Sequence, residues 1–165
     1  MKKFFAILII LPALGISACN GAESPAMTEA AVTADMWEYE YYINDIDYYS
    51  SLYSTAVARF SELVALQDWS GARAEAQSHI EILNDISEIV TPAGLAEYQN
   101  DILTAVEYEK EYRRIAAELF DCYLNGSEQG EMDAISAEFQ ELTSENISIE
   151  ASLASAREAA QAYLK

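Results

Sequence analysis

His79 is the only histidine of the chain, and Glu75 stands one helical turn before it. An imidazole with a carboxylate four residues away can share a proton or supply two ligands to a metal ion. A carboxylate bundle that binds two irons needs more, namely Glu-x-x-His pairs on two helices and further inward glutamates. Here the spacing is different and unrepeated, so Glu75 and His79 are weak metal candidates. A histidine half-buried on an apolar face, with a ring nitrogen bonded to a neighbour, is the plainer reading. Glu107, Glu109 and Glu111 crowd together, but alternate positions on a helix point apart and form no ready acid–base pair. Lys110, Arg113 and Arg114 follow within a turn, and the spacing predicts that they neutralise these acids at the surface. Haem-attachment and zinc spacings, a phosphate-binding glycine loop, a calcium loop and a Gly-x-Ser-x-Gly elbow are absent from the sequence. No enzyme is expected, and no cofactor.

Cys19 has the most distinctive setting. It ends the stretch MKKFFAILIILPALGISAC, in which Lys2 and Lys3 precede an apolar run from Phe4 to Ile16. That order is an export signal, and 13 apolar residues interrupted by Pro12 fall short of the roughly 20 that a membrane span needs. The quartet Ile16-Ser17-Ala18-Cys19 resembles the lipobox of bacterial lipoproteins, a likeness confined to residues 1–19. The resemblance implies cleavage between Ala18 and Cys19 and a thioether-linked diacylglycerol on the Cys19 sulfur. Small residues before the cysteine let a protease close on the backbone, and the thiol is the nucleophile. Ile16 stands where such motifs commonly have Leu. Acyl chains contribute about 0.8 kcal/mol per buried CH2, so two chains would hold the protein stably without a transmembrane helix. Cleavage after Ala18 without lipidation, giving a simple secreted protein, is the other reading.

The composition narrows the partners. At 165 residues and 18.3 kDa, with 52% hydrophobic and 22% charged residues, the chain suits one globular domain. Its 28 acids against 9 bases give a net charge of −19, and loss of residues 1–18 removes two lysines and no acid, moving it to −21. Such a field repels phosphate backbones and anionic headgroups, which excludes nucleic acid as a partner. With Cys19 committed to lipid, Cys122 has no second cysteine for an internal disulfide, leaving a buried thiol or a bond between chains.

Residues 20–33 are small and polar, contain Pro25 and lack apolar periodicity, as expected of a flexible tether. Beyond them apolar residues recur at spacings of three and four, the mark of packed amphipathic helices. A first helix over about 34–67 aligns Tyr39, Tyr42, Ile46, Tyr49, Tyr53, Ala56, Phe60 and Leu63. A break is expected around Asp68 to Gly71, with Asp68 or Ser70 as cap. A short second helix over 72–90 aligns Ala76, His79, Leu83, Ile86 and Val90. Thr91-Pro92 reads as an N-cap and first helical residue, and Asn125-Gly126 as the end of a third helix bearing Leu95, Tyr98, Ile102, Ala105, Glu109, Tyr112, Ala116, Leu119 and Tyr123. A fourth helix over 130–164 aligns Met132, Ile135, Phe139, Leu142, Asn146, Ile149, Leu153, Ala156, Ala160 and Tyr163. A short turn between the last two helices would bring Glu109 and Asn146 to one level as a hydrogen-bonded polar core layer that fixes register.

Seven aromatics fall within 17 residues at the start of the first helix, more than one seam can absorb. Tyr39, Tyr42, Tyr49 and Tyr53 fit the core, whereas Trp37, Tyr41 and Tyr48 share a neighbouring face. The shorter second helix covers the first only as far as about Tyr48. The outer aromatics are therefore either packed internally with exposed hydroxyls or a contact for an envelope protein or small apolar ligand, with basic partners favoured by charge. Glu38, Glu40, Asp45 and Asp47 among them disfavour membrane insertion.

The sequence thus predicts an all-α protein: a signal peptide over 1–18, a lipidated Cys19 and tether over 19–33, and an elongated antiparallel up-down four-helix bundle with one short helix over 34–165. Its expected role is non-enzymatic, as an extracytoplasmic binding or structural lipoprotein of the cell envelope held to the membrane through Cys19. A metal- or cofactor-binding bundle using Glu75, His79, Glu109 and Asn146 is the alternative class.

Overall fold

A computed structural model describes residues 36–144 and 147–165; the leader with Ile16, Ser17, Ala18 and Cys19, the tether, and Asn146 lie outside the described residues. The described chain is a helical bundle of five α-helices without a strand: α1 (Met36–Ala65), α2 (Trp69–Ser87), α3 (Ala96–Asn125), α4 (Gln129–Thr143) and α5 (Ile149–Tyr163), with a 3-10 turn at Ala93–Leu95 before α3.

The seams explain the packing. On α1, Tyr39, Tyr42, Ile46, Tyr53, Ala56 and Phe60 are buried, with Tyr49 and Leu63 half-buried beside them. On α3, Ile102, Ala105, Tyr112, Ala116 and Leu119 are buried at the same three-four spacing. Cross-helix pairs give the direction of each packing. Arg157 bonds Asp47 and Ser54 bonds Glu150, so α5 runs against α1. Arg59 meets Glu75 between α1 and α2, and Trp69 stacks on Tyr123 between α2 and α3. Tyr112 meets Phe139 and Tyr108 donates to the Leu142 carbonyl between α3 and α4.

Several boundaries depart from the sequence reading for local reasons. The first break lies at residues 66–68, where Gln67 takes the left-handed conformation at φ 57°, and Trp69 is already helical. The Asp68 carboxylate accepts from the Gly71 N–H at 2.9 Å and so caps α2. Helix α2 ends at Ser87 instead of Val90, because the approach to Pro92 is non-helical. Its apolar phase therefore shifts by one, leaving Ile89 buried and Val90 exposed. Thr91 is not an N-cap: its hydroxyl donates to Gln99 Oε1 at 2.6 Å, and Pro92 itself takes the cap position of the 3-10 turn. Gly126 does end α3 in the left-handed conformation at φ 67°, with the Ser127 N–H reaching back to the Cys122 carbonyl.

The predicted fourth helix is two helices. Thr143 and Ser144 turn their hydroxyls onto the preceding carbonyls Gln140 O and Glu141 O, while Ser148 accepts from the Ala151 N–H and starts α5. Such side chains offer the backbone an alternative to continued helix. The halves differ in depth. Ile149, Leu153, Ala156 and Ala160 of α5 are buried, whereas α4 buries no residue fully and leans chiefly on α3 through Phe139, Leu142 and their neighbours.

The core itself is in two parts. A larger cluster joins Tyr42, Ile46, Leu83, Ile86, Ile102, Val106, Leu153 and Ala156 towards the α1 N-terminus. A smaller one joins Phe60, Ala72, Ala76, Ala116 and Phe120 at the other end.

Candidate functional site

Polar side chains meet at the waist between those two clusters. His79 is wholly buried on α2, its ring 5.9 Å from that of Tyr53 and 5.7 Å from that of Phe60. Arg113 of α3 is 4% exposed, although the sequence placed it at the surface with Lys110 and Arg114. Its guanidinium lies 4.6 Å from the Phe60 centroid and 4.9 Å from that of Tyr112, between two rings that can stabilise a desolvated cation. Position explains the correction. Arg113 follows the seam residue Tyr112 and stands one turn after Glu109, facing inward, whereas Lys110 and Arg114 face outward to Glu107 and Glu111 at 3.0 and 2.6 Å.

Glu109 takes Arg113 as its partner, Oε2 to Nη2 at 3.3 Å, and the same Nη2 donates to the Tyr53 hydroxyl at 3.4 Å. The expected partner Asn146 lies outside the described residues. Satisfaction is incomplete: Glu109 Oε2, Arg113 Nε and both His79 ring nitrogens are buried without an aligned hydrogen bond. The electrostatics follow from this burial. Desolvation, reinforced by the Arg113 charge, lowers the His79 pKa to about 4, so the ring is neutral at pH 7. Desolvation and the Glu109 charge raise the Tyr53 hydroxyl well above its ordinary value.

This layer does not gather metal ligands. Glu75 turns to Arg59 at 3.1 Å and stays 3.8 Å from His79 Nε2, while Glu109 is occupied by Arg113. Among the described residues no three of His, Cys, Asp and Glu are arranged to hold a metal ion. Cys122 is buried as a free thiol on α3.

The second set of singled-out residues forms a surface. Trp37, Tyr41 and Tyr48 are 52%, 63% and 63% exposed, so the bundle does not absorb them. Tyr39 and Tyr42, by contrast, are buried, Tyr39 under the segment leading into α3 and under α5. Tyr39 stacks on Tyr163 at 4.5 Å, and a Cβ at Gly94 would press on both of their hydroxyls, at 2.9 and 3.0 Å, so a side chain there would have to displace them. Trp37 and Tyr41 meet edge to face at 5.5 Å, and Tyr48 meets Tyr49 at 5.0 Å. Helix α2 does stop at this level, where Asp85, Glu88, Ile89 and Val90 form a cleft of about 240 Å³ with Asp45 and Tyr49. Tyr48 lies level with that cleft, and Tyr41 and Trp37 lie beyond it towards the α1 N-terminus.

Sequence reasoning found the stripe but missed Arg113. Comparison with protein-family models, with curated proteins and with solved structures gives no match to this chain.

Proposed function

We propose that this chain is a lipid-anchored, extracytoplasmic binding or structural module of the cell envelope, without catalytic activity. The quartet Ile16-Ser17-Ala18-Cys19 behind a basic and apolar leader carries the reading. Cleavage before Cys19 and acylation of its sulfur would leave residues 20–33 as a tether for an up-down bundle whose fourth column is divided into α4 and α5. Fully extended, the chain between Cys19 and Met36 would reach at most about 60 Å, enough to hold the bundle clear of the membrane surface. Among the described residues no helix is long and apolar enough to cross a membrane.

The exposed Trp37, Tyr41 and Tyr48 support a binding role, since large aromatics with polar tips make strong interface anchors. Fractionation of an exporting host tests the anchor. Wild type should sediment with membranes and resist extraction by high salt, while Cys19→Ala should be found in the soluble fraction. A wild-type protein as soluble as the variant contradicts the anchor and leaves a secreted bundle.

A further inference from the structure

The outer face of α1 carries its aromatics between two rows of acid. Trp37, Tyr41 and Tyr48 are spaced by four and seven residues and span about 16 Å along the helix axis. One flank, towards α2, holds Glu38 and Asp45, continued across the cleft by Asp85 and Glu88. The other, towards α5, holds Glu40 and Asp47. Arg157 pairs with Asp47 at 2.5 Å, and the first base on α1 itself is Arg59. The α2 C-terminus also points its carbonyl end at the cleft with no basic residue in its last turn, adding to the negative potential.

We infer that this face binds a basic protein segment, with arginine or lysine side chains laid on Trp37, Tyr41 and Tyr48 and their charges met by Glu38, Glu40, Asp45, Asp85 and Glu88. This deepens the binding role proposed above and rests on it. Aromatic faces attract cations through their quadrupole, and guanidinium groups stack on them particularly well. The same molecule already uses that chemistry internally, where Arg113 lies against Phe60 and Tyr112.

Charge decides against the other occupants. A second copy of this chain brings a net charge of −19 and little basic surface, because six of the seven bases among the described residues are in ion pairs: Arg59, Arg73, Lys110, Arg113, Arg114 and Arg157. An anionic lipid surface is repelled by the same field. A neutral lipid interface would have to accept the flanking carboxylates among its headgroups, an unfavourable place for them.

The test uses the full chain, purified from whichever fraction it enters, and a labelled twelve-residue peptide of alternating arginine and glycine. Fluorescence anisotropy should report saturable binding that weakens with salt. The variant Trp37→Ala/Tyr41→Ala/Tyr48→Ala should weaken it about tenfold or more, because the anchoring faces are gone. A charge control at the far end of the bundle, Glu62→Gln/Glu131→Gln, should stay within about twofold, since it lies beyond the screening length. The three aromatics are exposed, so circular dichroism should find the triple variant folded. As a second readout independent of that variant, Glu40→Gln/Asp45→Asn should weaken binding and flatten its salt dependence.

Absence of saturable binding overturns the inference. So does equal weakening in the triple variant and the far-end control, which would mean a diffuse acidic field. Aromatic-dependent binding to phosphatidylcholine vesicles with no effect on the peptide would make neutral lipid the occupant, and an aromatic-dependent dimer in sedimentation would make it a second copy. Peptide binding is read on purified protein whether or not Cys19 carries lipid, so failure here is separable from failure of the anchor.

Discussion

The Arg113 guanidinium carbon lies 4.6 Å from the centroid of the Phe60 ring, which puts a cation of α3 on an aromatic of α1 in the interior of the bundle. Glu109 and Tyr53 meet the same cation, and His79 closes the layer from α2. Most of the core on either side is apolar, and among the described residues His79 and Arg113 of this layer are the buried polar and charged side chains besides the tyrosine hydroxyls. A layer of this kind fixes register at a cost in stability, because only one alignment of the three helices pairs its charges.

Removing Arg113 alone should therefore be worse than removing the pair. Arg113→Ala leaves Glu109 mostly buried and unpaired and should cost about 3 kcal/mol. Arg113→Met combined with Glu109→Gln keeps the volume without the charge and should cost less than the single change. Denaturant midpoints measure both. A double variant that loses as much as Arg113→Ala, or more, would contradict the pairing.

His79 should make the fold acid-sensitive in a defined window. Its pKa is about 4 in the fold, against an ordinary value of 6.5. The unfolded chain therefore binds the proton more readily between those values. The stability arising from this difference is fully present above about pH 6.5 and is lost as pH falls towards 4, with a magnitude on the order of 2 kcal/mol. Relief of carboxylate repulsion acts in the opposite direction over the same range, because the chain carries 28 acids. The informative quantity is the difference between wild type and His79→Gln. The variant should lose less stability than wild type between pH 7 and pH 4.5, and equal losses would show that the imidazole is not the titrating group.

Helix α4 should open separately from the rest. It buries no residue fully and is held to α3 by the Tyr112–Phe139 contact at 4.7 Å, the Arg114–Glu138 ion pair at 2.9 Å and the Tyr108 hydroxyl on Leu142 O. Hydrogen exchange should be faster over 129–143 than over the buried stretches of α1 and α3. Phe139→Ala should raise the α4 rate further while moving the global unfolding free energy by less than about 1 kcal/mol. Protection in α4 equal to that in α3 would contradict this.

Much of the bundle was legible because its seams are regular. Tyr39, Tyr42, Ile46, Tyr53, Ala56 and Phe60 were assigned to the core from spacing alone, as were Ile102, Ala105, Ala116, Leu153 and Ala156, and all are buried. Gly126 announced the end of α3, since glycine readily takes the left-handed conformation found there. The exposed trio Trp37, Tyr41 and Tyr48 was also visible, because a seam one residue wide cannot hold every aromatic of α1.

Arg113 was missed because Lys110, Arg113 and Arg114 look alike as a charged run. The usable signal was its place one turn after the polar seam residue Glu109, a pairing across one helix face. The division between α4 and α5 was missed because the three-four spacing runs on from Leu142 through Asn146 to Ile149. Thr143, Ser144 and Ser148 held the information, as hydroxyl side chains that compete for backbone groups. Val90 was misplaced for a related reason: periodicity carried the reading past Ser87, where the approach to Pro92 ends the helix.

The anchor is tested most directly by the intact mass of the protein purified from an exporting host, measured beside Cys19→Ala. Wild type should begin at Cys19 and carry the added mass of a diacylglyceryl group, with any further acyl chain on the new amino terminus, and Cys19→Ala should carry neither. A wild-type protein that begins at Cys19 with an unmodified thiol, or that keeps residues 1–18, would contradict the proposed lipid anchor.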